Sequence, residues 1–366
     1  MSRAELEREV LAWTAEGVDA PADDARFERL ALALFHLQVE QGDAYRRMCA
    51  AFGREPGAVR RWREIPAVPT GAFKEARFAI FPPEATLRTF RSSGTSADVR
   101  GQLELDDLAL YDASLEATFR AFICPDAARL RFLVLAPSAT DAPDSSLSYM
   151  FSRALERMGT PASRFLIDAH GWEPDAAIAE LGAAREPLVL AGTAFAFVHL
   201  LDRLTARGEK LELPAGTRVM ETGGFKGRSR ELAREDLHAE IAARLGVPLA
   251  RIVNQYGMCE LATQFYDATL RTRVYGDVKV VPPWARVRVV DPVTQEDVPR
   301  GERGVLAIYD LANTGSVLAL LTSDLGELAP GGFRVFGRLR GAEARGCSLA
   351  ADALLSAGRE VTRGAL

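Results

Sequence analysis

Four short apolar runs, Arg131-Phe132-Leu133-Val134-Leu135-Ala136, Pro187-Leu188-Val189-Leu190-Ala191, Thr217-Arg218-Val219-Met220 and Arg251-Ile252-Val253-Asn254, are separated by segments long enough to be helices. Runs that are apolar on both faces belong inside a sheet. Strands that alternate with helices are joined by crossovers, so the sheet is expected to be largely parallel and covered on both faces. Apolar residues three or four apart predict helices over 106–122, 145–158 and 229–245, with Asp106, Ser145 and Ser229 as caps. The first fifty residues carry Leu6, Val10, Leu11 and Trp13, then Phe27, Leu30, Leu32, Leu34 and Phe35, the spacing of paired amphipathic helices. After Ala268 helical spacing stops, and 274–281, 285–290, 304–309, 317–321 and 333–336 read as strands between Pro, Gly and Asp turns.

These patterns divide the chain into an N-terminal helical part (1–64), an α/β core (65–268), a smaller β-rich region (269–336) and a short C-terminal segment (337–366) with one helix near 349–355. At 366 residues and 48% hydrophobic content the chain exceeds what one core usually serves, so two structural units are expected. A net charge of −5 without a basic stripe gives no footing for nucleic acid, and no run approaches the roughly 20 apolar residues of a membrane span. A lipid, if involved, is therefore a substrate. Cys49, Cys124, Cys259 and Cys347 stand far apart, which fits separate reduced thiols, and Glu5, Glu7, Arg8 and Glu9 make the N-terminus an amphipathic helix instead of a secretion signal. The expected location is cytoplasmic.

Residues able to carry chemistry fall between these elements. Phe90-Arg91-Ser92-Ser93-Gly94-Thr95-Ser96 packs four hydroxyls around one glycine after a strand-like stretch. Glycine lets backbone N–H groups turn inward and hydroxyls add rotatable donors, which suits phosphate; the same composition also makes plain turns. Asn254-Gln255-Tyr256-Gly257-Met258-Cys259-Glu260 follows a strand whose carboxyl end faces ligands in an open parallel sheet. There Tyr256 can stack on a base, Gly257 allows close approach, and Glu260 can hold a magnesium ion bridging phosphate oxygens. The alternative is a strand ending in a turn, with Tyr256 and Met258 in the core and Glu260 solvated. In Thr322-Ser323-Asp324-Leu325-Gly326-Glu327, Asp324 beside a glycine turn either accepts from both ribose hydroxyls or serves a β-turn. Arg338, between Gly337 and Leu339, offers a guanidinium for phosphate or ribose, or is one more surface arginine.

Together and in this order, these clusters resemble the adenylate-forming superfamily of acyl-CoA synthetases, adenylation domains and luciferases over roughly residues 65 to 345. Ser92 to Ser96 is similar to its phosphate loop and Glu221-Thr222-Gly223-Gly224 to its adenine-side glycine turn. Tyr256 to Glu260 is similar to its Tyr-Gly-x-Thr-Glu element, Thr322 to Gly326 to its Thr-Gly-Asp-x-Gly element, and Gly337-Arg338 to its hinge. The resemblance implies an α/β large domain of sheets flanked by helices plus a small β-rich subdomain. It also implies attack of a substrate carboxylate on the α-phosphate of ATP with Mg2+. Ser92, Ser93, Gly94, Thr95 and Ser96 would cradle phosphates, with Thr95 catalytic. Gly223, Gly224, Tyr256 and Gly257 would hold the nucleotide, Glu260 the magnesium, and Asp324 with Arg338 the ribose. Ala97 stands where the loop usually has a glycine, the following Pro-Lys is absent so that Arg100 is a substitute charge, and Cys259 replaces the usual threonine. Only 28 residues follow Arg338, a much shortened C-terminal segment, and none of the four lysines, Lys74, Lys210, Lys226 and Lys279, lies there.

Within the superfamily that shortened segment and its cysteine resemble the acyl-protein synthetase of bacterial bioluminescence, the LuxE family. Pro69-Thr70-Gly71-Ala72-Phe73-Lys74, Phe225-Lys226-Gly227-Arg228, Pro282-Pro283-Trp284 and Gly341-Ala342-Glu343-Ala344-Arg345-Gly346-Cys347-Ser348-Leu349 agree with it. The family activates a fatty acid as its adenylate and moves the acyl group to a cysteine near its own C-terminus, here matched by Cys347. The group then passes to an acyl-CoA reductase or another acyl-acceptor protein. A thiolate attacks acyl adenylates well and leaves a thioester that still transfers. Cys347 is otherwise a small buried hydrophobe. Cys259 is the rival acceptor, and Cys49 and Cys124 read as core. His199, after Gly192-Thr193-Ala194-Phe195-Ala196-Phe197, either approaches the carboxylate or is a helix-surface or core histidine. The alternatives to self-acylation are direct transfer of an aryl or acyl group to another acceptor, and a non-catalytic member of the fold.

Overall fold

The computed structural model describes residues 1–92, 100–168, 171–223 and 232–339. They form two units. One comprises Met1–Leu115, Met258–Thr263 and the described residues from Val281 on; the other comprises Glu116–Gly257 and Gln264–Val280. The last boundary falls beside Pro282-Pro283.

The second unit holds the expected parallel sheet. In spatial order its strands are Phe265–Tyr266, Ile252–Tyr256, Arg218–Thr222, Leu188–Thr193, Arg131–Leu135 and Arg164–Phe165; the first is antiparallel to its neighbour and the others run parallel. Register aligns Leu133, Leu190, Val219 and Ile252 in one row, all fully buried. Each such side chain contributes about 1.5–3 kcal/mol relative to exposure. Gly192 is required by this packing, because a Cβ there would meet the Leu135 carbonyl oxygen at 3.0 Å. The helices Pro174–Gly182, Ala194–Ala206 and Arg234–Leu245 bury Leu181, Phe197, Leu201 and Ile241 in the same cluster as that row. Ser145 caps Ser146–Met158 as expected, accepting from the Ser148 N–H. The expected Ser229 cap lies outside the described residues. At the carboxyl ends of the strands the rows become polar: Gly192, Glu221 and Asn254 align, then Thr193, Thr222 and Gln255.

In the first unit an antiparallel meander runs Ala285–Val290, Gly304–Asp310, Ala319–Ala329 and Gly332–Arg338, with Val68–Pro69 parallel to Leu320–Leu321. The N-terminal helices Arg3–Glu16, Asp24–Gln41 and Asp43–Ala51 belong here too. Ser2 and Glu5 form a capping box for the first and Asp23 caps the second. Phe27, Trp62 and Tyr309 stack edge to face at 5.4 and 4.9 Å, and buried Gln38 donates to the Asn313 carbonyl and accepts from Leu318 N–H. A hairpin of Arg88–Arg91 and Gln102–Leu105 flanks the serine-rich loop, its second strand unforeseen in the sequence.

Four local expectations are corrected. Asp107, not Asp106, accepts from the Ala109 N–H at the start of Ala109–Ile123, because Asp106 is held bidentately by Arg3 at 2.6 Å. Helices do not end at Ala268: Thr269–Thr272 is helical. Of 274–281 only Lys279–Val280 is a strand. The fourth concerns 322–327, which is no turn between two strands but the middle of Ala319–Ala329. Gly326 reads as a turn residue yet is there for close packing, since a Cβ would run into the Leu306 side chain.

Candidate active site

In the first unit the base of the serine-rich loop is closed by reciprocal bonding between Ser92 and Gly101. Ser92 N–H donates to the Gly101 carbonyl at 2.8 Å, and Ser92 Oγ accepts from Gly101 N–H at 2.9 Å. Arg100 Nε donates to the Ser92 carbonyl at 2.6 Å, so this guanidinium braces the loop base. Gly101 faces the turn that carries Glu260: a Cβ there would stand 3.3 Å from Glu260 Oε1 and 3.4 Å from Ser92 Oγ. That space is a cradle a side chain would fill, and its glycine was not singled out in the sequence. Glu260 is not solvated, as the plain-turn alternative required, but 6% exposed. Burial pushes its carboxyl up; the Cys259 thiol and Arg338 pull the other way. Asp324 and Arg338 pair directly across antiparallel strands and approach to 3.4 Å, Asp324 largely buried and Arg338 exposed. Gly337 beside it has φ +107°, a conformation that favours glycine. Ser92, Glu260, Asp324 and Arg338 thus share one unit. Ser93, Gly94, Thr95, Ser96, Gly224 and Cys347 lie outside the described residues.

Among the described residues no group of three or more His, Cys, Asp or Glu is placed to hold a metal. Magnesium, however, is commonly held by one or two carboxylates together with substrate phosphates. Glu260, with Asp324 near enough to raise its pKa, supplies carboxylates of that kind.

In the second unit Gly223 ends the strand Arg218–Thr222 with φ +81° and no atom within 4 Å of a hypothetical Cβ, so glycine is needed there for conformation, not space. Tyr256 ends its strand half-buried, 6.4 Å from the Phe265 ring. Behind the Gly223 turn lies a polar network that sequence reasoning missed. Glu221 Oε1 accepts from Asn254 Nδ2 at 2.6 Å and bonds His238 Nε2 at 2.9 Å, while His238 Nδ1 bonds the Tyr275 hydroxyl at 3.0 Å. Lys279 is fully buried, donating to the Asn254 carbonyl at 3.1 Å and pairing with Asp267 at 3.4 Å; burial lowers its pKa to about 8. Removing one partner of a buried pair strands the other charge, typically at about 3–5 kcal/mol. Lys279→Met is therefore expected to lower the denaturant midpoint substantially and Lys279→Met/Asp267→Asn to recover much of the loss. Equal destabilisation by both variants would refute this account of the pair.

Cys49, Cys124 and Cys259 are buried and free. Burial raises the thiol pKa of Cys49 to about 12 and that of Cys124 to about 11. Cys259 is pushed up furthest, by burial first and then by Glu260. His199 is exposed and lies 4.5 Å from the Phe195 ring and 5.9 Å from Trp172, the helix-surface alternative.

Among solved structures, 2-hydroxyisobutyryl-CoA ligase in complex with 2-HIB-AMP and CoA is similar with a TM-score of 0.66 and 15% identity, over 88% of this chain and 69% of that one. ATP-bound MatB from Rhodopseudomonas palustris is 19% identical with a TM-score of 0.48, over 68% of this chain, which spans about half (47%) of that protein. The fold is that of the adenylate-forming enzymes, mixed α/β with several sheets. A long-chain-fatty-acid–luciferin-component ligase of Aliivibrio fischeri is 23% identical over 308 residues, 82% of this chain and 78% of that protein. Residues 8–355 match the family described as acyl-protein synthetase, LuxE, and the chain belongs to that family of ligases. No helix among the described residues is long and apolar enough to cross a membrane.

Proposed function

We propose that this protein activates a carboxylic acid, a long-chain fatty acid by analogy with its Aliivibrio relative, as the acyl adenylate, and then carries the acyl group on Cys347. The observation that carries the reading is the grouping of Ser92, Gly101, Glu260, Asp324 and Arg338 in one unit, with Gly101 close against the Glu260 carboxylate and Asp324 paired with Arg338. Magnesium, when bound there, supplies neutralising charge to phosphate oxygens. Around it Ser92, with Ser93, Gly94, Thr95 and Ser96, cradles the phosphates of ATP, and Thr95 donates to the charge developing there. Asp324 accepts from the ribose hydroxyls, oriented by Arg338. A substrate carboxylate oxygen bonds the α-phosphorus as the bond to the β-phosphate bridging oxygen breaks, and pyrophosphate leaves with that electron pair. The Cys347 thiolate then bonds the acyl carbon, AMP leaves with the electron pair of the acyl–oxygen bond, and the thiol proton goes to solvent. An acyl-CoA reductase or another acyl-acceptor protein would take the thioester onward.

ATP–pyrophosphate exchange across acids from short aryl to long alkyl tests the reading. Exchange with long-chain acids above all others is expected. Folded protein that binds ATP but exchanges with no acid would reject it.

A further inference from the structure

The turn that presents Glu260 is held by a buried polar clamp that no step above uses, and we infer that Asp310, Asn313 and Trp284 are positioning residues for Glu260. The inference rests on the reading that Glu260 meets magnesium and nucleotide.

All members of the clamp belong to one unit. Asp310, at the end of the strand Gly304–Asp310, is fully buried and accepts four hydrogen bonds: Ala262 N–H at 3.1 Å, Thr263 N–H at 2.7 Å, Thr263 Oγ1 at 2.8 Å and Ala312 N–H at 3.0 Å. Two of these donors are successive backbone N–H groups just after Glu260. Asn313 Nδ2 donates to the Glu260 carbonyl at 3.0 Å and to the Val317 carbonyl at 2.8 Å. Glu260 is thus gripped on its own carbonyl and two residues on, while its carboxylate stays in the cradle beside Gly101. Trp284, of the Pro282-Pro283-Trp284 element, completes the clamp, its Nε1–H donating to Thr263 Oγ1 at 3.1 Å and Ser114 Oγ at 3.0 Å. The single hydroxyl proton of Thr263 goes to Asp310, so Ser114 donates in the 2.8 Å contact between the two hydroxyls.

Such a clamp has one evident product. A glutamate on an unsupported turn wanders by more than the ~0.5 Å tolerance of a productive site, whereas a turn bonded at its carbonyl and at the following N–H groups does not. Outer-shell partners of a metal-binding carboxylate typically affect metal affinity by about 10–100-fold.

The test uses the full chain with a non-hydrolysable ATP analogue and Mn2+ as the probe, bound Mn2+ being read by electron paramagnetic resonance, beside the melting temperature of ligand-free protein. Asn313→Ala, which removes the donor to Glu260, is expected to raise the Mn2+ half-saturation about tenfold. Trp284→Phe, which removes the N–H and leaves a smaller aromatic ring in its place, is expected to raise it by a smaller factor; if Asn313→Ala fails to fold, Trp284→Phe decides, provided that it melts like wild type. A normally melting variant with an unchanged half-saturation, where Glu260→Gln weakens Mn2+, overturns the inference alone. If Glu260→Gln itself leaves Mn2+ binding unchanged, the reading of Glu260 falls and the positioning role with it. Weakened Mn2+ binding in a variant that melts like wild type supports the clamp.

Discussion

Alanine at position 260 is expected to reduce acid-dependent ATP–pyrophosphate exchange by roughly 10²–10³-fold, the scale for deleting one preorganised electrostatic group, while the melting temperature stays level or rises. The two halves of this expectation share one cause. Glu260 is 6% exposed and burial disfavours its charged form, so in the resting protein the carboxylate is an electrostatic liability. On the proposed reading function holds it there, because a buried carboxylate meets a cation in a low dielectric, where the attraction counts for most. Removing it relieves the fold and disables the chemistry, the trade-off common at active sites. Parallel loss of exchange and melting temperature would instead make Glu260 a structural residue, and unimpaired exchange would remove it from the site.

Cys347→Ala is expected to abolish thioester-linked acyl-protein completely while leaving exchange intact, because activation of the acid needs no thiol. The burial of the other cysteines carries the argument against them as acceptors. A thiol whose pKa is raised to about 11, as burial does for Cys124, is thiolate only to the order of 10⁻⁴ at pH 7, and Cys259 is shifted further still. Attack on an acyl adenylate runs through thiolate. Cys259→Ala should accordingly keep the label. Hydroxylamine-labile acyl-protein persisting in Cys347→Ala would move the acceptor role elsewhere; loss of exchange in that variant would make the residue part of the activation step.

The parallel sheet was legible because its strands are apolar on both faces, a pattern few other environments tolerate: Leu133, Leu190, Val219 and Ile252 advertise burial by themselves. The resemblance assigned Asp324 and Arg338 to the ribose but not to each other; their pairing was not legible, since neither residue announces a partner fourteen positions away, and the register that aligns them includes the bulge at Leu325/Gly326. Gly326 misled for a physical reason. Glycine marks both a turn and a crowded strand, and the leucine that crowds it, Leu306, lies in another strand. Asp310, Asn313 and His238 were missed because each is a single polar residue whose meaning lies wholly in its bonding partners, and single-residue composition carries no trace of those. Gly101 had the same defect. It stands beyond the serine-rich loop, and what it makes room for is a carboxylate more than 150 residues later.

The discontinuous make-up of the first unit bears on how the chain is born. The second unit is drawn almost wholly from one stretch, Glu116 to Val280, and has its four central parallel strands by the time Tyr256 leaves the ribosome. The first helices emerge long before it, yet Trp62 and Gln38 find Tyr309 and Leu318 only once the meander strands have been made. At about 5–20 residues per second, the amphipathic N-terminus waits at least ten seconds with its apolar stripe uncovered. Nascent chains stalled before the meander should therefore engage holdase chaperones through residues 1–50, and release them as the last strands join.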